Sequence, residues 1–396
     1  MSRTVLSAVT GCVLGACAFV SADAMPAAAQ TNVKIGFMTT LTGPQAVLGQ
    51  HARDGFNLGI KHSGAKLGGL DAQVIVADDE FKPDLAVTKI KGLIERDQVD
   101  FVTGIIFSNI MMAVAKPIFE ANTFLISSNA GPSPLAGKGC SPFFFSTAWQ
   151  NDGPHEVSGK YATEKGLKKI FLLAPNYQAG KDALAGFKRF YKGEVVDEVY
   201  TQLGQLDFSA ELAKIAAAKP EAVYAFMPGG MGVNLAKQYR QAGLADTLPF
   251  LSAFVVDETA LPAVGEAALG FFNGTIWAPN VDNAESKKFV ADFEKDFGYV
   301  PSLYAAQAYD AARLIDSAVA AVKGNLKDKD ALRAALKKAD FKSVRGAFAF
   351  NKNGFPIEDF YLAKVVKRAD GKFETQIVQK VLEKHGDAYA SECALP

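Results

Sequence analysis

The chain has 396 residues, which is long for one ordinary domain and suits two. Hydrophobic residues make up 49% and charged residues 21%, so long disorder is excluded and a sizeable core can form. Lys plus Arg number 42, as do Asp plus Glu, and this neutral balance argues against binding to nucleic acid or to an anionic membrane surface.

The first 30 residues predict a cleaved signal peptide and therefore export. Arg3 supplies a positive start, Val5–Val20 is apolar, and Ala27-Ala28-Ala29 offers a small-residue cleavage site. A membrane anchor is less favoured because the apolar run is short and interrupted by polar residues. A lipoprotein, suggested by Leu14-Gly15-Ala16-Cys17, is the weaker alternative because the cleavage motif lies further on.

Four cysteines are present, and two of them, Cys12 and Cys17, lie in the predicted signal peptide. Cleavage would leave Cys140 and Cys393. Two cysteines in an exported chain predict one disulfide, and two free thiols are the alternative.

Strands and helices alternate along the first third of the mature chain. Short apolar runs predict strands at Val33–Met38, Ala72–Val76, Phe101–Ile106 and Phe124–Ser128. Helical spacing predicts helices at Gln50–His62, at Val87–Ile94 with Asp84 as its cap, and at Met112–Phe119, where Pro117 breaks in.

The same alternation then starts again. Predicted strands are Lys169–Ala174, Glu194–Tyr200, Ala222–Met227 and Phe250–Val256. Predicted helices are Ala183–Phe190, Leu206–Ala218, Gly232–Ala242, 286–298 and 303–323. The tail is strand-like at Ala347–Asn351, Tyr361–Lys367 and Phe373–Val381. This order predicts an α/β fold of two doubly wound, Rossmann-like units in series.

Hydroxyl-bearing and amide-bearing loops follow three strands of the first unit. They are Thr39–Pro44, Phe107–Asn109 and Ser127–Gly131, and two of them directly precede helices. Ligands of parallel sheets bind at the carboxyl ends of strands, and helix N-termini favour anions. These loops therefore predict a site for a carboxylate or phosphate, with ordinary helix capping as the alternative.

Motifs for catalysis, metals and cofactors are missing from the sequence. Its four histidines are scattered without metal-ligand spacing, and it contains no G-x-S-x-G elbow or phosphate-binding P-loop. The run Gly230-Met231-Gly232 imitates a dinucleotide loop but has Leu235 in place of the third glycine. We therefore predict a protein that is not an enzyme and carries no cofactor or metal.

An ordered set of motifs resembles the periplasmic branched-chain amino acid-type binding proteins of ABC transporters, over nearly the whole mature chain. The motifs are Leu41-Thr42-Gly43-Pro44, Lys91-Gly92-Leu93-Ile94, Asp100–Gly104, Ser108, Ala115-Lys116-Pro117, Ile126-Ser127-Ser128 and Tyr304–Ala311. The resemblance implies the type I fold, in which two lobes joined by three crossovers close on a solute and deliver it to a membrane permease.

The resemblance also divides the chain. It implies an N-terminal lobe of 31–149 and 279–345 and a C-terminal lobe of 151–277 and 346–396. The crossovers are expected near Gln150, Ala278 and Arg345. It implies a periplasmic location, and we expect a monomer.

In amino-acid-binding members, a Ser after the third strand and the loop after the fourth hold the ligand carboxylate. Ser108 matches that Ser, and Asn129 and Gly131 lie in the matching loop. The usual Thr hydroxyl is missing at Gly131, so Ser128 or Ser133 is expected to help.

At the positions that hold the ligand amine in that family, this chain departs further from the family pattern. Tyr177 keeps an aromatic position, but Met231 replaces a Tyr and Phe254 replaces the ammonium-pairing acid. An ammonium buried there would be unpaired. With Phe107 and Trp149, these residues predict a site for a small aromatic carboxylate of the benzoate, hydroxybenzoate or cinnamate type, a solute class bound by one subgroup that the chain resembles.

Three alternatives stay open at this point. The solute is a branched-chain amino acid, an amide or urea; or the protein is a sensory ligand-binding protein with the same pocket; or Phe254 and Met231 are core residues that do not face a ligand.

Overall fold

The computed structural model describes residues 31–396, together with residues 1, 2, 4–6 and 8. The predicted signal peptide, with Cys12 and Cys17, therefore lies largely outside the described residues. In the described part of the chain the strands are β1 (Asn32–Thr39), β2 (Lys66–Leu67), β3 (Leu70–Asp78), β4 (Phe101–Thr103), β5 (Phe124–Ser127), β6 (Phe144–Ser146), β7 (Lys169–Pro175), β8 (Glu194–Thr201), β9 (Ala222–Phe226), β10 (Phe250–Ala253), β11 (Phe272–Thr275), β12 (Ala349–Phe350), β13 (Pro356–Lys367) and β14 (Phe373–His385).

The α-helices of the same residues are α1 (Ala46–His62), α2 (Pro83–Lys91), α3 (Ser108–Glu120), α4 (Ser133–Ala136), α5 (Gly153–Glu164), α6 (Gln178–Phe190), α7 (Ser209–Ala218), α8 (Gly230–Gln241), α9 (Leu261–Val264), α10 (Ala284–Phe297), α11 (Leu303–Ala321) and α12 (Lys329–Lys338). A short π-helical turn, Gly92–Arg96, continues α2.

The first sheet has the strand order β2-β3-β1-β4-β5-β6. Its central strand, β1, pairs in parallel with β3 and β4, so that Ile35 lies opposite Val74 and Phe101. Strands β4 and β5 are buried along their whole length, as expected for strands covered by helices on both faces. We call this sheet and the helices packed on it the first lobe.

The second sheet has the order β12-β13-β11-β10-β9-β7-β8, with β14 paired to β13. Strands β7 to β11 run parallel, and the long β13 adds antiparallel to β11. We call this sheet and its helices the second lobe. The prediction of two doubly wound α/β units is confirmed, and the tail forms an antiparallel edge on the second of them.

Helix α11 returns the chain to the first lobe. It packs on α1 so closely that a Cβ added at Gly55 would collide with the backbone of Ala305. The next connection contains Arg345, whose guanidinium donates to Asp310 of α11 at 3.2 Å and to Glu358 of β13 at 2.6 Å. Crossovers near Gln150, Ala278 and Arg345, with the lobe limits given above, remain our proposal.

The structure pairs Cys140 with Cys393 in a disulfide. Cys140 follows α4 of the first lobe, and Cys393 lies in the tail that leaves β14 of the second. Asn353 supports this junction by donating from Nδ2 to the carbonyl oxygen of Ala136 at 2.8 Å. The tail is therefore fastened to both lobes.

Two local predictions about helices are wrong. Asp84 does not cap α2, because Pro83 occupies the first turn and Lys82 is the cap residue. Pro117 does not break α3, which continues through it for three more residues. Seven of the described elements were not predicted, namely β2, β6, β11, α4, α5, α9 and α12.

Candidate functional site

A small cavity, of about 30 Å³, lies between the carboxyl ends of the two sheets. The first lobe lines it with Leu48, Ile106, Phe107, Ser108, Asn129, Ala130 and Tyr304, the second with His155, Tyr177, Ala179, Phe226, Pro228 and Phe254, and the segment between them with Trp149 and Asn151.

Three helices begin at this cavity without a side-chain cap. The cap residues of α3, α6 and α8 are Phe107, Tyr177 and Gly229, and none of their side chains accepts a hydrogen bond from the helix start. Ser108 is the first residue inside α3 and not its cap. The capping alternative concerned the loops before α1, α3 and α4, and it fails because α1 and α4 also start without a side-chain cap. The positive ends of α3, α6 and α8 favour an anion in the cavity.

Asn151 fixes the orientation of the Ser108 hydroxyl. Its Oδ1 accepts from the N–H of Gly131 at 2.9 Å, so its Nδ2 faces the other way. That Nδ2 donates to Ser108 Oγ at 3.1 Å and to Asp182 Oδ2 at 2.8 Å. Ser108 Oγ thus already accepts one bond, and its hydrogen has no acceptor among residues 31–396. The hydroxyl can donate to a ligand oxygen.

Asp182 is a buried carboxylate close to the cavity, but both of its oxygens already accept hydrogen bonds from other residues. Besides Asn151, it accepts from the N–H and the hydroxyl of Ser133 at 3.1 and 2.7 Å, and from Gln178 Nε2 at 2.8 Å. Ser133 starts α4 of the first lobe and Asp182 lies in α6 of the second. Asp182 therefore joins the lobes and is not free to pair with a ligand ammonium.

The loop after β5 serves mainly as scaffold. Asn129 lines the cavity, yet its Nδ2 donates to the carbonyl oxygen of Ile106 at 2.6 Å and its Oδ1 accepts from Gln307 at 2.9 Å. Gly131 uses its N–H on Asn151, and a Cβ at Gly131 would collide with the carbonyl oxygen of Trp149.

Ser128 and Gly131 are not among the residues that line the cavity, and this placement corrects our expectation of direct contact. Ser128 Oγ is buried without a hydrogen-bond partner in the described structure. A side chain cannot fit at Gly131, which explains why the Thr usual in the amino-acid-binding relatives has no counterpart here.

Aromatic rings form the other walls. The Trp149 and Phe254 rings lie 4.8 Å apart with an interplanar angle of 32°. Phe226 meets Phe254 edge-on at 5.8 Å and lies nearly parallel to Tyr177 at 6.2 Å. Such spacings are typical of favourable aromatic packing, and the arrangement suits a flat ring.

Phe254 has an unusual backbone. Its φ is +63°, in the left-handed region that a bulky residue rarely adopts, at a cost of about 1–3 kcal/mol. The side chain of Asn273 holds this conformation, because its Oδ1 accepts from the N–H of Phe254 at 2.9 Å. The bend directly after β10 brings the ring to the cavity.

Met231 does not line the cavity, contrary to our prediction. It is the second residue of α8 and packs in the core of the second lobe with Leu235 and Val255. Its sulfur accepts from the N–H of Gly204 at 3.3 Å. The first turn of α8 faces the cavity through the preceding Pro228 instead.

His155 is a site residue that the sequence analysis missed. It lies in the first turn of α5, is 1% exposed, and its Nδ1 is hydrogen-bonded to the Tyr224 hydroxyl. Burial lowers the pKa of His155 to about 3, so its imidazole is neutral. Because α5 was not predicted, no sequence pattern placed this histidine beside the cavity.

No Asp, Glu, Lys or Arg is among the described residues that line the cavity. Its polar groups are hydroxyls, amides, an imidazole and the indole N–H of Trp149. A bound anion would therefore be held by neutral donors and helix ends, and a bound ammonium would meet no carboxylate.

The lobes also touch at the mouth of the cavity. The N–H of Gly230 is shared between the carbonyl oxygen of Pro44 and Oε1 of Gln45, each at 3.2 Å. Since Pro44 belongs to the first lobe and Gly230 to the second, the described conformation is a closed one.

Among the described residues, no helix is long and apolar enough to cross a membrane. The same residues contain no group of three or more His, Cys, Asp or Glu side chains arranged to hold a metal ion.

Comparison with known proteins gives a family match over residues 32–372, to the model described as periplasmic binding protein. Among curated proteins, a Leu/Ile/Val-binding protein homolog of Brucella melitensis is 29% identical over 370 residues, covering 90% of this chain and 93% of that protein.

Among solved structures, an ABC transporter solute-binding protein of Rhodopseudomonas palustris in complex with benzoate has a TM-score of 0.87 at 31% identity, covering 92% of this chain and all of that one. Another from the same species, in complex with 3,4-dihydroxybenzoic acid, has a TM-score of 0.83 at 29% identity, covering 90% and 99% of the two chains. The predicted type I fold is thus confirmed.

Proposed function

The chain belongs to the periplasmic binding protein family and is a type I solute-binding protein of an ABC transporter, and from this premise we propose that it captures a small aromatic carboxylate between its lobes. Ser108 and the start of α3 bind the carboxylate. Trp149, Phe254 and Tyr177 enclose the ring. Closure of the lobes then buries the solute.

One observation carries the choice of solute. Phe254 occupies the wall where the resemblance expects an acid for an amino group, and no carboxylate of the described residues lines the cavity. An ammonium buried without a partner costs several kcal/mol. An aromatic acid has no such group and buries its ring against the aromatic walls instead.

The comparisons support this proposal unequally. Two structural relatives carry benzoate or dihydroxybenzoate, whereas a curated relative of similar identity is named for leucine, isoleucine and valine. A branched-chain amino acid is therefore the second candidate. It requires a partner for its ammonium, and Asp182 is already bound to Ser133, Asn151 and Gln178.

The wider role follows from the family. A solute-binding protein of this class works in the periplasm and delivers its solute to a membrane permease, and the family and its structural relatives are binding proteins, not enzymes. We propose that the first 30 residues direct export and are removed, and that the protein acts as a monomer. A sensory role would use the same cavity.

Thermal unfolding in the presence of single solutes tests the proposal. Benzoate, 4-hydroxybenzoate and cinnamate are compared with leucine, valine, urea and an aliphatic amide at equal concentration. A bound solute raises the Tm through its affinity for the folded state alone. We expect stabilisation by one or more aromatic acids. Stabilisation by leucine or valine, and by none of the aromatic acids, would refute the proposal.

A further inference from the structure

His155 is a buried hydrogen-bonding group that the capture of a carboxylate at Ser108 does not use. It lines the second-lobe side of the cavity, edge-on to Phe226 at 5.0 Å and to Phe254 at 5.7 Å, with interplanar angles of 71° in both pairs. In the described part of the chain its Nδ1 has the hydroxyl of Tyr224 as partner, and its Nε2 has none.

The partner of Nδ1 fixes where the imidazole proton sits. Tyr224 is fully buried, and burial raises its pKa, so its hydroxyl keeps its hydrogen. Among the described residues, the acceptor for that hydrogen is Nδ1 of His155. If Nδ1 carried the proton instead, the Tyr224 hydrogen would be buried without an acceptor, which costs about 1–3 kcal/mol. The proton of neutral His155 therefore lies on Nε2.

Two more hydroxyls lie at the same cavity. Tyr177 and Tyr304 line it, are 8% and 1% exposed, and have no hydrogen-bond partner for their hydroxyls among residues 31–396. A phenol hydroxyl both donates and accepts. The N–H of His155 and these two hydroxyls therefore match a ligand group that accepts one hydrogen bond and donates another.

We propose that His155 selects aromatic carboxylates that carry a hydroxyl on the ring over those that do not. The ring hydroxyl accepts from Nε2–H of His155 and donates to a tyrosine hydroxyl, Tyr177 or Tyr304. An unsubstituted ring leaves the N–H buried and unpaired. This inference rests on the proposed function, because it takes the carboxylate to be held at Ser108 of the first lobe.

Calorimetric titration of the purified protein with 4-hydroxybenzoate and with benzoate measures this selection. We expect the wild type to bind 4-hydroxybenzoate at least about 10-fold more tightly, since a site with a buried donor rejects a ligand that leaves it unpaired. In the double variant His155→Phe/Tyr224→Phe, both partners of the buried bond become apolar rings of similar shape. The ratio of the two affinities should fall to within about 3-fold of one.

Tyr239→Phe is the matched control, because its hydroxyl donates to the carbonyl oxygen of Leu248 in the core of the same lobe, away from the cavity. The affinity ratio should persist in that variant. A wild-type ratio near one, or a ratio unchanged in the double variant, overturns the role of His155 and leaves the proposed function standing. Failure of both acids and of cinnamate to bind the wild type overturns the proposed function, and this inference with it. Binding of cinnamate alone overturns this inference only.

A second measurement does not depend on the double variant folding. Nitrogen-15 NMR of the wild type distinguishes the two neutral imidazole forms of a histidine. We expect the proton of His155 on Nε2. A proton on Nδ1 would contradict the donor role.

Discussion

The two sides of the cavity differ in the side chains that line them. On the first-lobe side, Ser108 is held by a network of fixed hydrogen bonds through Asn151 to Asp182. On the second-lobe side, Phe226 and Phe254 present ring faces and edges. The polar half can orient an anion, whereas the aromatic half supplies area for burial. We propose from this difference that one lobe determines how the solute is oriented and the other which kind of solute fits.

The substitution Phe254→Glu breaks the aromatic half most severely. It places a buried carboxylate where the ring of the solute is expected, and an unpaired buried charge costs several kcal/mol. We expect the affinity for 4-hydroxybenzoate to fall by at least about 100-fold in calorimetric titration, or about 2.7 kcal/mol.

Leu206→Glu is the control for that substitution. It adds the same charge to the second lobe at a side chain that is 40% exposed, and it should bind as the wild type does. Affinity within about 3-fold of the wild type for Phe254→Glu would mean that Phe254 does not face the solute.

Closure brings the two halves together, and Gly230→Ala tests it. An added Cβ would lie 2.8 Å from the Cβ of Pro44 across the cleft, so it opposes closure without disturbing either lobe by itself. Overpacking of this kind costs about 1–3 kcal/mol, which predicts affinity weaker by about 10-fold.

The control for closure is Gly92→Ala, because its Cβ would have no neighbour nearer than 3.8 Å. Equal affinities for Gly230→Ala and the wild type would show that closure at Pro44 is not coupled to binding. Thermal unfolding without solute checks that both variants are folded.

Ser108→Ala weakens the polar half. Loss of a hydroxyl that donates to a buried carboxylate should reduce the affinity by about 1–3 kcal/mol. Ser209→Ala is the matched control, since Ser209 is also the first residue of its helix but is exposed, far along the chain from the cavity loops. If Ser108→Ala binds aromatic acids with unchanged affinity, the carboxylate is held elsewhere.

Each lobe also buries a neutral histidine, His51 in the first and His155 in the second, and burial lowers the pKa of each to about 3. In the unfolded chain an imidazole takes up a proton below about pH 6.5. The unfolded state then binds more protons, so the stability contributed by each neutral histidine is lost as the pH falls from about 6.5 towards 3.

The slope is at most about 1.4 kcal/mol per pH unit for each histidine. Urea unfolding between pH 6.5 and 4.5 should therefore show a pH dependence that is less steep by about this amount in His155→Phe/Tyr224→Phe than in the wild type. Equal slopes would mean that His155 is already protonated in the folded protein.

Much of the fold could be predicted from local patterns. Apolar runs and helical spacing identified most parallel strands and their helices, because each is long enough to show its period. Helix α5 was not predicted because it begins with Gly153-Pro154, residues that locally indicate a turn. Strand β6 has three residues, too few to show a pattern, and it forms only by pairing with β5.

The site could be predicted less completely. Ser108 lies in the loop region after β4, so the rule that ligands bind at strand ends pointed to it. Phe254, which follows β10 directly, was assigned to the site by the resemblance to the family. The side of α8 on which Met231 lies depends on how that helix packs. The orientation of Asn151 depends on Gly131 and Asp182, which are 20 and 31 residues away in the sequence. Contacts at such separations leave no local signal.

A crystal structure of the protein with 4-hydroxybenzoate tests the division between the lobes most directly. We predict a carboxylate oxygen within hydrogen-bond distance of Ser108 Oγ at the start of α3, and the ring packed against Phe254. A carboxylate directed at the second lobe, with the ring against Ser108 and Asn151, would contradict it.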